Sequence, residues 1–330
     1  MIYQIDESTR CVVVVGGAGF IGGHFVDRLL ASDGIDQVRI YDNFSSGRPW
    51  HFAHHEGDER FDVVDDDVRN LEGLTAALQG FDTVIHLASN PDIAAAVTNP
   101  LVDFDSGTLL TQNVVEAMRR VGCRQILYAS GSGVYGDLGL TAPDEDYGPM
   151  IPESTYGASK LAGEAIIAAY CHMFGLVGFA FRFGNVVGPR QTHGVGFDFV
   201  RRLLENPSTL RILGDGRQSK SYIHVSDVIS AVFTVARLAQ GPFATYNVAT
   251  EDYITVSEIA ELAISAVGTS HESTILEYSG GDRGWRGDVP VVRLDTSKIR
   301  ALGWSNVYDT REALRASIES MLVDFRAGIM

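Results

Sequence analysis

The segment that most restricts this chain is the junction at residues 12–22. The apolar run Val12, Val13, Val14, Val15 passes straight into Gly16-Gly17-Ala18-Gly19-Phe20-Ile21-Gly22. An apolar run of strand length, then glycines, then helical periodicity over residues 20–31 predicts a strand, a tight turn and a helix. Gly16 permits the turn, Gly19 lets the backbone approach a pyrophosphate, and Gly22 lets helix and strand pack closely. Free N–H groups at the helix start, by Phe20 and Ile21, then face the phosphates, and the helix dipole favours anions. Spacing alone is a weak signal in a chain with 35 glycines. Its place between strand and helix makes this loop a candidate dinucleotide site.

The alternation continues. Strands are predicted at residues 37–41, 61–64, 83–86, 125–128 and 177–183, with helices near 71–78, 101–121 and 156–174. That pattern implies an α/β fold, a Rossmann-type doubly wound parallel sheet covered on both faces. The second half carries long Gly-rich loops at 184–196, 214–216 and 279–287, separated by helices near 197–205 and 225–239. The expectation is a dinucleotide-binding domain over residues 1–183. A smaller, mixed α/β substrate-binding lobe over 184–330 would follow, with segments near 225–250 packing back on the first.

Asp42 ends the second predicted strand, 20 residues after Gly22. A carboxylate there accepts both hydroxyls of an adenosine ribose and repels a 2′-phosphate, which favours NAD over NADP. Arg48 lies several residues further on, in a Gly/Pro-containing loop. Asn43 adjoins Asp42. Asp67 and Val68, after the third strand, are placed to contact the adenine, although Asp65-Asp66-Asp67 also reads as a solvated acidic turn.

The formal net charge is −16, from 42 acidic and 26 basic residues. So acidic a surface argues against nucleic-acid or membrane-surface partners. An anionic nucleotide then requires cations concentrated at its site. Cys11, Cys123 and Cys171 are scattered and read as reduced core thiols. No metal-ligand spacing, signal peptide or membrane-length apolar run appears, so a cytoplasmic protein without a metal is expected.

Tyr156-Gly157-Ala158-Ser159-Lys160 sets a tyrosine and a lysine one helical turn apart, in a chain with only three lysines. An ammonium fixed beside a phenol stabilises the phenolate, which otherwise needs a pH near ~10. The positive charge of an oxidised nicotinamide acts in the same direction. A phenolate can then remove a hydroxyl proton while hydride leaves the same carbon. A helix-surface Tyr and Lys is the plainer reading of the spacing alone.

These motifs, with Val84-Ile85-His86-Leu87-Ala88 and Val134-Tyr135-Gly136, resemble the extended short-chain dehydrogenase/reductase family. Three later stretches resemble its nucleotide-sugar epimerase/dehydratase branch, nearest to UDP-glucose 4-epimerase-like enzymes. They are Arg182-Phe183-Gly184-Asn185-Val186-Val187-Gly188-Pro189-Arg190, Ser221-Tyr222-Ile223-His224-Val225 and Arg283-Gly284-Trp285-Arg286-Gly287-Asp288-Val289-Pro290. The resemblance implies a bound NAD, with Leu87, Ala88 and Ser89 added to its contacts. It implies Tyr156 as base, and Lys160 orienting the cofactor ribose and lowering the Tyr156 pKa. Asn185 and the following loop, with Gln191 and Thr192, would meet a nucleotide-sugar diphosphate, UDP-linked by the nearest subgroup. Lys220 stands where many relatives have an Arg, and either Arg283 or Arg286 would add a second cation. A homodimer through the helices near 101–121 and 156–174 is also implied, although burial within one chain explains their apolar residues equally well.

Two positions depart from the family pattern. A Ser or Thr is usual where this chain has Gly131, within Ala129-Ser130-Gly131-Ser132-Gly133. The flanking Ser130 and Ser132 are candidate catalytic hydroxyls, although in a regular strand both point to the other face. The expectation is that a water, or Ser132 after a local bulge, replaces the missing hydroxyl. Gly107 stands where an Asn is frequent, marking a bend or a close approach, or merely tolerated. Residues 132 and 133 also separate reaction types. Sugar dehydratases carry Asp-Glu there and sugar-acid decarboxylases a Glu at 133, whereas this chain has Ser132-Gly133. An NAD-dependent 4-epimerase is therefore favoured over a dehydratase, decarboxylase or 4-ketoreductase. A non-catalytic NAD sensor is the reading of a different class, motivated by Gly131 and Gly107 and opposed by Tyr156 and Lys160. Val292, where some epimerases have a bulky Tyr, leaves room for an N-acetylhexosamine or is a core residue.

Overall fold

Val12, Val13, Val14 and Val15 are wholly buried, so their strand has no solvent face, as a central strand of a doubly covered parallel sheet requires. The computed structural model describes residues 9–270 and 273–329. Its first half runs β1 (Cys11–Val15), α1 (Phe20–Leu30), β2 (Gln37–Asp42), β3 (Phe61–Asp65), α2 (Leu71–Ala77), β4 (Thr83–His86), α3 (Leu109–Val121), β5 (Gln125–Gly131), α4 (Thr155–Phe174) and β6 (Val177–Phe183). The second half runs β7 (Asn185–Val187), α5 (Val195–Glu205), β8 (Thr209–Ile212), β9 (Ser219–Lys220), β10 (Tyr222–His224), α6 (Val225–Leu238), β11 (Phe243–Val248), β12 (Ile254–Thr255), α7 (Val256–Val267), β13 (Ile275–Tyr278), α8 (Ser297–Arg300) and α9 (Thr310–Arg326).

Seven strands form one parallel sheet in the order β11-β6-β5-β4-β1-β2-β3. The alternate residues of β1 feed two cores. Val12 and Val14 pack with Phe25 and Leu29 of α1 and Val232 of α6. Val13 and Val15 pack with Leu74 of α2, Val114 of α3 and Ile167 of α4. The chain moves outward from β1 to β3, then returns to β4 on the other side of β1. That reversal opens a crevice at the carboxyl ends of β1 and β4, where ligands of such sheets bind.

A third core lies beyond the sheet. Phe199 and Leu203 of α5 meet Leu210 of β8, Ile259 of α7 and Ile318 of α9. Residues between these elements return to the large sheet, where β11 pairs with β6 and α6 packs on the α1 face. Among the described residues no helix is long and apolar enough to cross a membrane.

The single helix expected near residues 101–121 is interrupted. Phe104–Thr108 forms a π-type turn in which Ser106 leaves helical geometry, and α3 begins at Leu109. Gly107 lies within the break. A methyl group added there would stand 2.7 Å from Ser159 Oγ on α4. The glycine therefore marks a close approach between this turn and the helix that carries Tyr156.

Candidate functional site

A cavity of about 870 Å³ fills the crevice between the sheet and the third core. Its floor is the glycine loop. Gly16 has φ +81°, and a methyl there would lie 2.6 Å from the Ala88 nitrogen; one on Gly22 would lie 2.6 Å from Gly16 O. The first is a left-handed turn pressed against the chain leaving β4, the second the contact between helix and loop. Gly19, Phe20 and Ile21 reach the cavity wall, as do Leu87, Ala88 and Ser89.

Asp42 sits at the end of β2, buried and facing the cavity. Its Oδ2 accepts from Ala18 N at 3.0 Å and its Oδ1 from Phe44 N at 2.9 Å. Burial pushes this carboxyl above the ordinary range, against the lowering effect of both N–H groups. Each oxygen retains acceptor capacity toward the cavity. Asn43 Nδ2 donates to Asp67 Oδ2 at 2.8 Å, Arg69 pairs with Asp67 at 2.6 Å, and Val68 is buried. The acidic turn is thus a braced wall of the cavity. Arg48 donates to its neighbour Gly47 O at 2.9 Å and is absent from that wall.

Tyr156 lies in the first turn of α4, which Ser154 caps by accepting from Gly157 N at 3.1 Å. Lys160 follows one turn later, 3% exposed, with Nζ donating to Ala129 O at 2.8 Å and lying 5.5 Å from the centre of the Tyr156 ring. Burial lowers the Lys160 pKa to about 8, with Asp103 pulling the other way. Tyr156 differs from the expectation: burial raises its pKa above the ordinary value, and a hydrogen bond with Ser89 only partly offsets this. Desolvation thus dominates at the phenol, while the Lys160 ammonium donates to Ala129 O.

Asp103 is a residue that sequence reasoning missed. It is buried, accepting from Asn90 Nδ2 at 2.9 Å and from Thr155 Oγ1 at 2.6 Å. It braces the loop after β4 against the start of α4. Its partners lie 13 and 52 residues away, so no local pattern signals it.

The two serines around Gly131 separate. Ser130 is buried and its hydroxyl donates to Glu164 at 2.6 Å. Glu164 is itself ion-paired with buried Arg182 at 2.7 Å. That hydroxyl is engaged with Glu164, although Ser130 also borders the cavity. Ser132 begins the short turn Ser132–Val134 and lies in the cavity wall. A methyl added at Gly131 would meet nothing within 4 Å, and this residue also lines the cavity.

The opposite wall brings together some expected residues and not others. Asn185 and Lys220 line it, with Lys220 Nζ 2.6 Å from Asp288 Oδ1. Gln191 lines it too, but its amide donates to His193 O at 2.7 Å and accepts from Ser317 Oγ at 2.9 Å, strapping its loop to α9. Thr192, Arg283 and Arg286 are outside the wall. Arg283 is held by Asp288 O at 2.6 Å, Asp137 at 2.9 Å and Glu153 at 3.1 Å, and Arg286 is exposed. Arg202 of α5 takes up a place in the wall instead, donating to Arg211 O at 2.8 Å. No carboxylate among the described residues pairs with it. Val292 lines the cavity rather than a core.

The model of the family described as NAD dependent epimerase/dehydratase matches residues 12–249. The chain belongs to that family. It is 32% identical to the UDP-glucose 4-epimerase of Mycolicibacterium smegmatis, over 93% of this chain and 97% of that protein. It is 29% identical to UDP-glucuronic acid decarboxylase 1 of Danio rerio, over 95% of this chain and 73% of that protein. The solved UDP-glucose 4-epimerase of Thermus thermophilus, in complex with NAD, superposes with a TM-score of 0.82 at 30% identity, covering 94% of this chain and 99% of that one.

NAD is the cofactor of this epimerase/dehydratase family member. The residues present fit it: Gly16 and Gly22 have no room for side chains, which keeps the turn and the helix start tight, Gly19 lines the cavity without a side chain, and the Asp42 carboxylate keeps acceptors free. Tyr156 and Lys160 stand in the same cavity, between this loop and the wall that carries Lys220 and Arg202.

Proposed function

We propose that the protein is a nucleotide-sugar 4-epimerase acting on UDP-hexoses. Bound NAD supplies a two-electron acceptor that returns what it takes. Tyr156 Oη removes the proton from the sugar 4-hydroxyl and later gives it back, with Lys160 holding the site's positive charge beside it. The 4-keto sugar turns over in the cavity between the two steps. Lys220 and Arg202 hold the diphosphate, Lys220 exchanging Asp288 for the ligand. Asn185 meets the nucleotide beside them. Arg202 offers the planar fork that suits a diphosphate.

The observation that carries this reading is the end of β5. Gly131, Ser132 and Gly133 line the cavity there and supply no carboxylate. The cavity's carboxylates lie elsewhere: Asp42 and Asp67 among the glycine-loop residues, Asp288 paired with Lys220, and Asp198 on α5. A site whose proton-transfer group is one tyrosine supports oxidation and its reversal at one carbon. Eliminating water from a neighbouring pair of carbons calls for a further acid and base. The small Val292 in the wall favours a sugar as bulky as an N-acetylhexosamine.

The test is incubation with UDP-glucose, UDP-N-acetylglucosamine and UDP-glucuronate without added NAD, with product stereochemistry read by NMR. The expected product is the C4 epimer of at least one of them. A 4-keto-6-deoxy sugar or a pentose would select a dehydratase or decarboxylase. No epimer from any of the three would overturn the proposal.

A further inference from the structure

Away from the cavity, three ligating side chains converge on one point of the surface. Asp27 is on α1, and His54 and His55 end the short turn Ala53–His55 between β2 and β3. Nε2 of His54 and Nε2 of His55 each lie 2.8 Å from the same atom, Asp27 Oδ1. One ligand atom from each residue falls within 4.8 Å of the other two. The two imidazole rings lie side by side, with centroids 4.1 Å apart.

The spacing suits a small ion. Tetrahedral bonds of about 2.0–2.1 Å put neighbouring ligand atoms about 3.3 Å apart, so each Nε2 need retreat from Oδ1 by only about 0.5 Å to admit one. Exposure is graded in the right sense. The His55 side chain is 17% exposed, Asp27 32% and His54 51%, which leaves one side open to water for the remaining coordination position.

The second carboxylate oxygen has its own partner. Asp27 Oδ2 is ion-paired with the Arg190 guanidinium, which also donates to His51 O at 2.6 Å. Oδ1 is thus presented singly and in a fixed direction, as outer-shell partners hold ligating carboxylates. Arg190 also belongs to the loop whose Gln191 and His193 line the cavity. The cluster has no signature in the sequence, because Asp27 precedes His54 by 27 residues.

We propose that Asp27, His54 and His55 bind a divalent transition ion of the imidazole-preferring class, with Zn²⁺ as its first member. Two imidazoles and one carboxylate are a borderline donor set that selects Zn²⁺, Co²⁺ or Ni²⁺ over the oxygen-seeking Mg²⁺ and Ca²⁺.

The experiment is calorimetric titration of the untagged, NAD-loaded full chain with Zn²⁺, repeated with Co²⁺ while its visible ligand-field absorption is followed. Wild type should bind one ion per chain. His54→Ala and His55→Ala should each weaken binding at least about 10-fold, and His172→Ala, an exposed histidine on α4, should change nothing. Asp27→Asn should behave like the histidine variants, and His54→Ala decides the matter if Asp27→Asn does not fold. Absence of saturable Zn²⁺ binding would overturn the proposal, as would binding undiminished in the His54→Ala/His55→Ala double variant or displacement of Zn²⁺ by millimolar Mg²⁺.

Discussion

Three positions of the cavity test separate parts of the proposed chemistry. Burial lowers Lys160 to about 8 in the folded chain, against 10.5 for the free group. Between these values the unfolded chain holds a proton that the folded one has lost, so this group makes stability rise with pH across the window. The melting temperature of NAD-free protein should therefore gain more between pH 8 and 10.5 than that of Lys160→Met; parallel profiles would remove the burial argument. Arg202 is the wall cation whose charge meets no carboxylate among the described residues. Arg202→Ala should raise KM for a UDP-sugar by about 10- to 100-fold, the loss of one charge-assisted contact, with a smaller change in kcat. An unchanged KM would place the diphosphate elsewhere. At Gly131 the backbone is extended and added atoms face open space. Gly131→Ser should restore a hydroxyl next to the reacting carbon and raise kcat for epimerisation, by up to about 10²-fold where one donor stabilises the transition state. A fall in kcat with an unchanged melting temperature would mean that the substrate itself occupies that space.

Among the elements, what was legible in the sequence followed from burial on two faces. β1 to β6 lie where the sequence placed them, with ends differing by at most three residues; β1, wholly buried over Val12–Val15, reads as an unbroken apolar run, whereas the edge strand β3 interleaves charged and apolar residues. The glycine loop was legible for a similar reason: Gly16 and Gly22 meet steric demands set by residues close in sequence or in the adjoining strand. The interruption before α3 was not, and the close contact that accompanies it lies on another helix. Helical periodicity runs through Phe104–Thr108, and only the approach to Ser159 makes Gly107 necessary. The same limit applies in the site. Motif position placed Arg283 and Thr192 near the substrate, but position does not say which way a side chain turns, and Arg283 turns to Asp137 and Glu153. Asp103 and Arg202 were missed because each acts through partners fixed by the fold. Gly107→Ala tests the helix contact. It should cost about 1–3 kcal/mol through overpacking, despite alanine's better helix propensity. The cost should shrink in a Ser159→Ala background, since the hydroxyl is the nearest atom. A net gain in a urea melt would show that the two segments do not need this approach.

The whole molecule places one tyrosine between two binding regions. The glycine loop, Asp42 and the braced acidic turn form the side proposed for the dinucleotide, and α5, β9 and the loop around Trp285 form the wall opposite. The strand reversal between β1 and β4 creates the crevice, and Asp103 and Ser154 set the start of α4 so that Tyr156 faces into it. Epimerisation in such a crevice is redox-neutral: whatever leaves the sugar carbon must stay in the cavity and return to that carbon. UDP-glucose deuterated at C4, incubated in ordinary water without added NAD, tests this most directly. NMR should find the 4-epimer with deuterium still at C4 and no reduced nicotinamide released. A 4-keto or 6-deoxy product, or an epimer whose C4 deuterium has been replaced by solvent hydrogen, would contradict it.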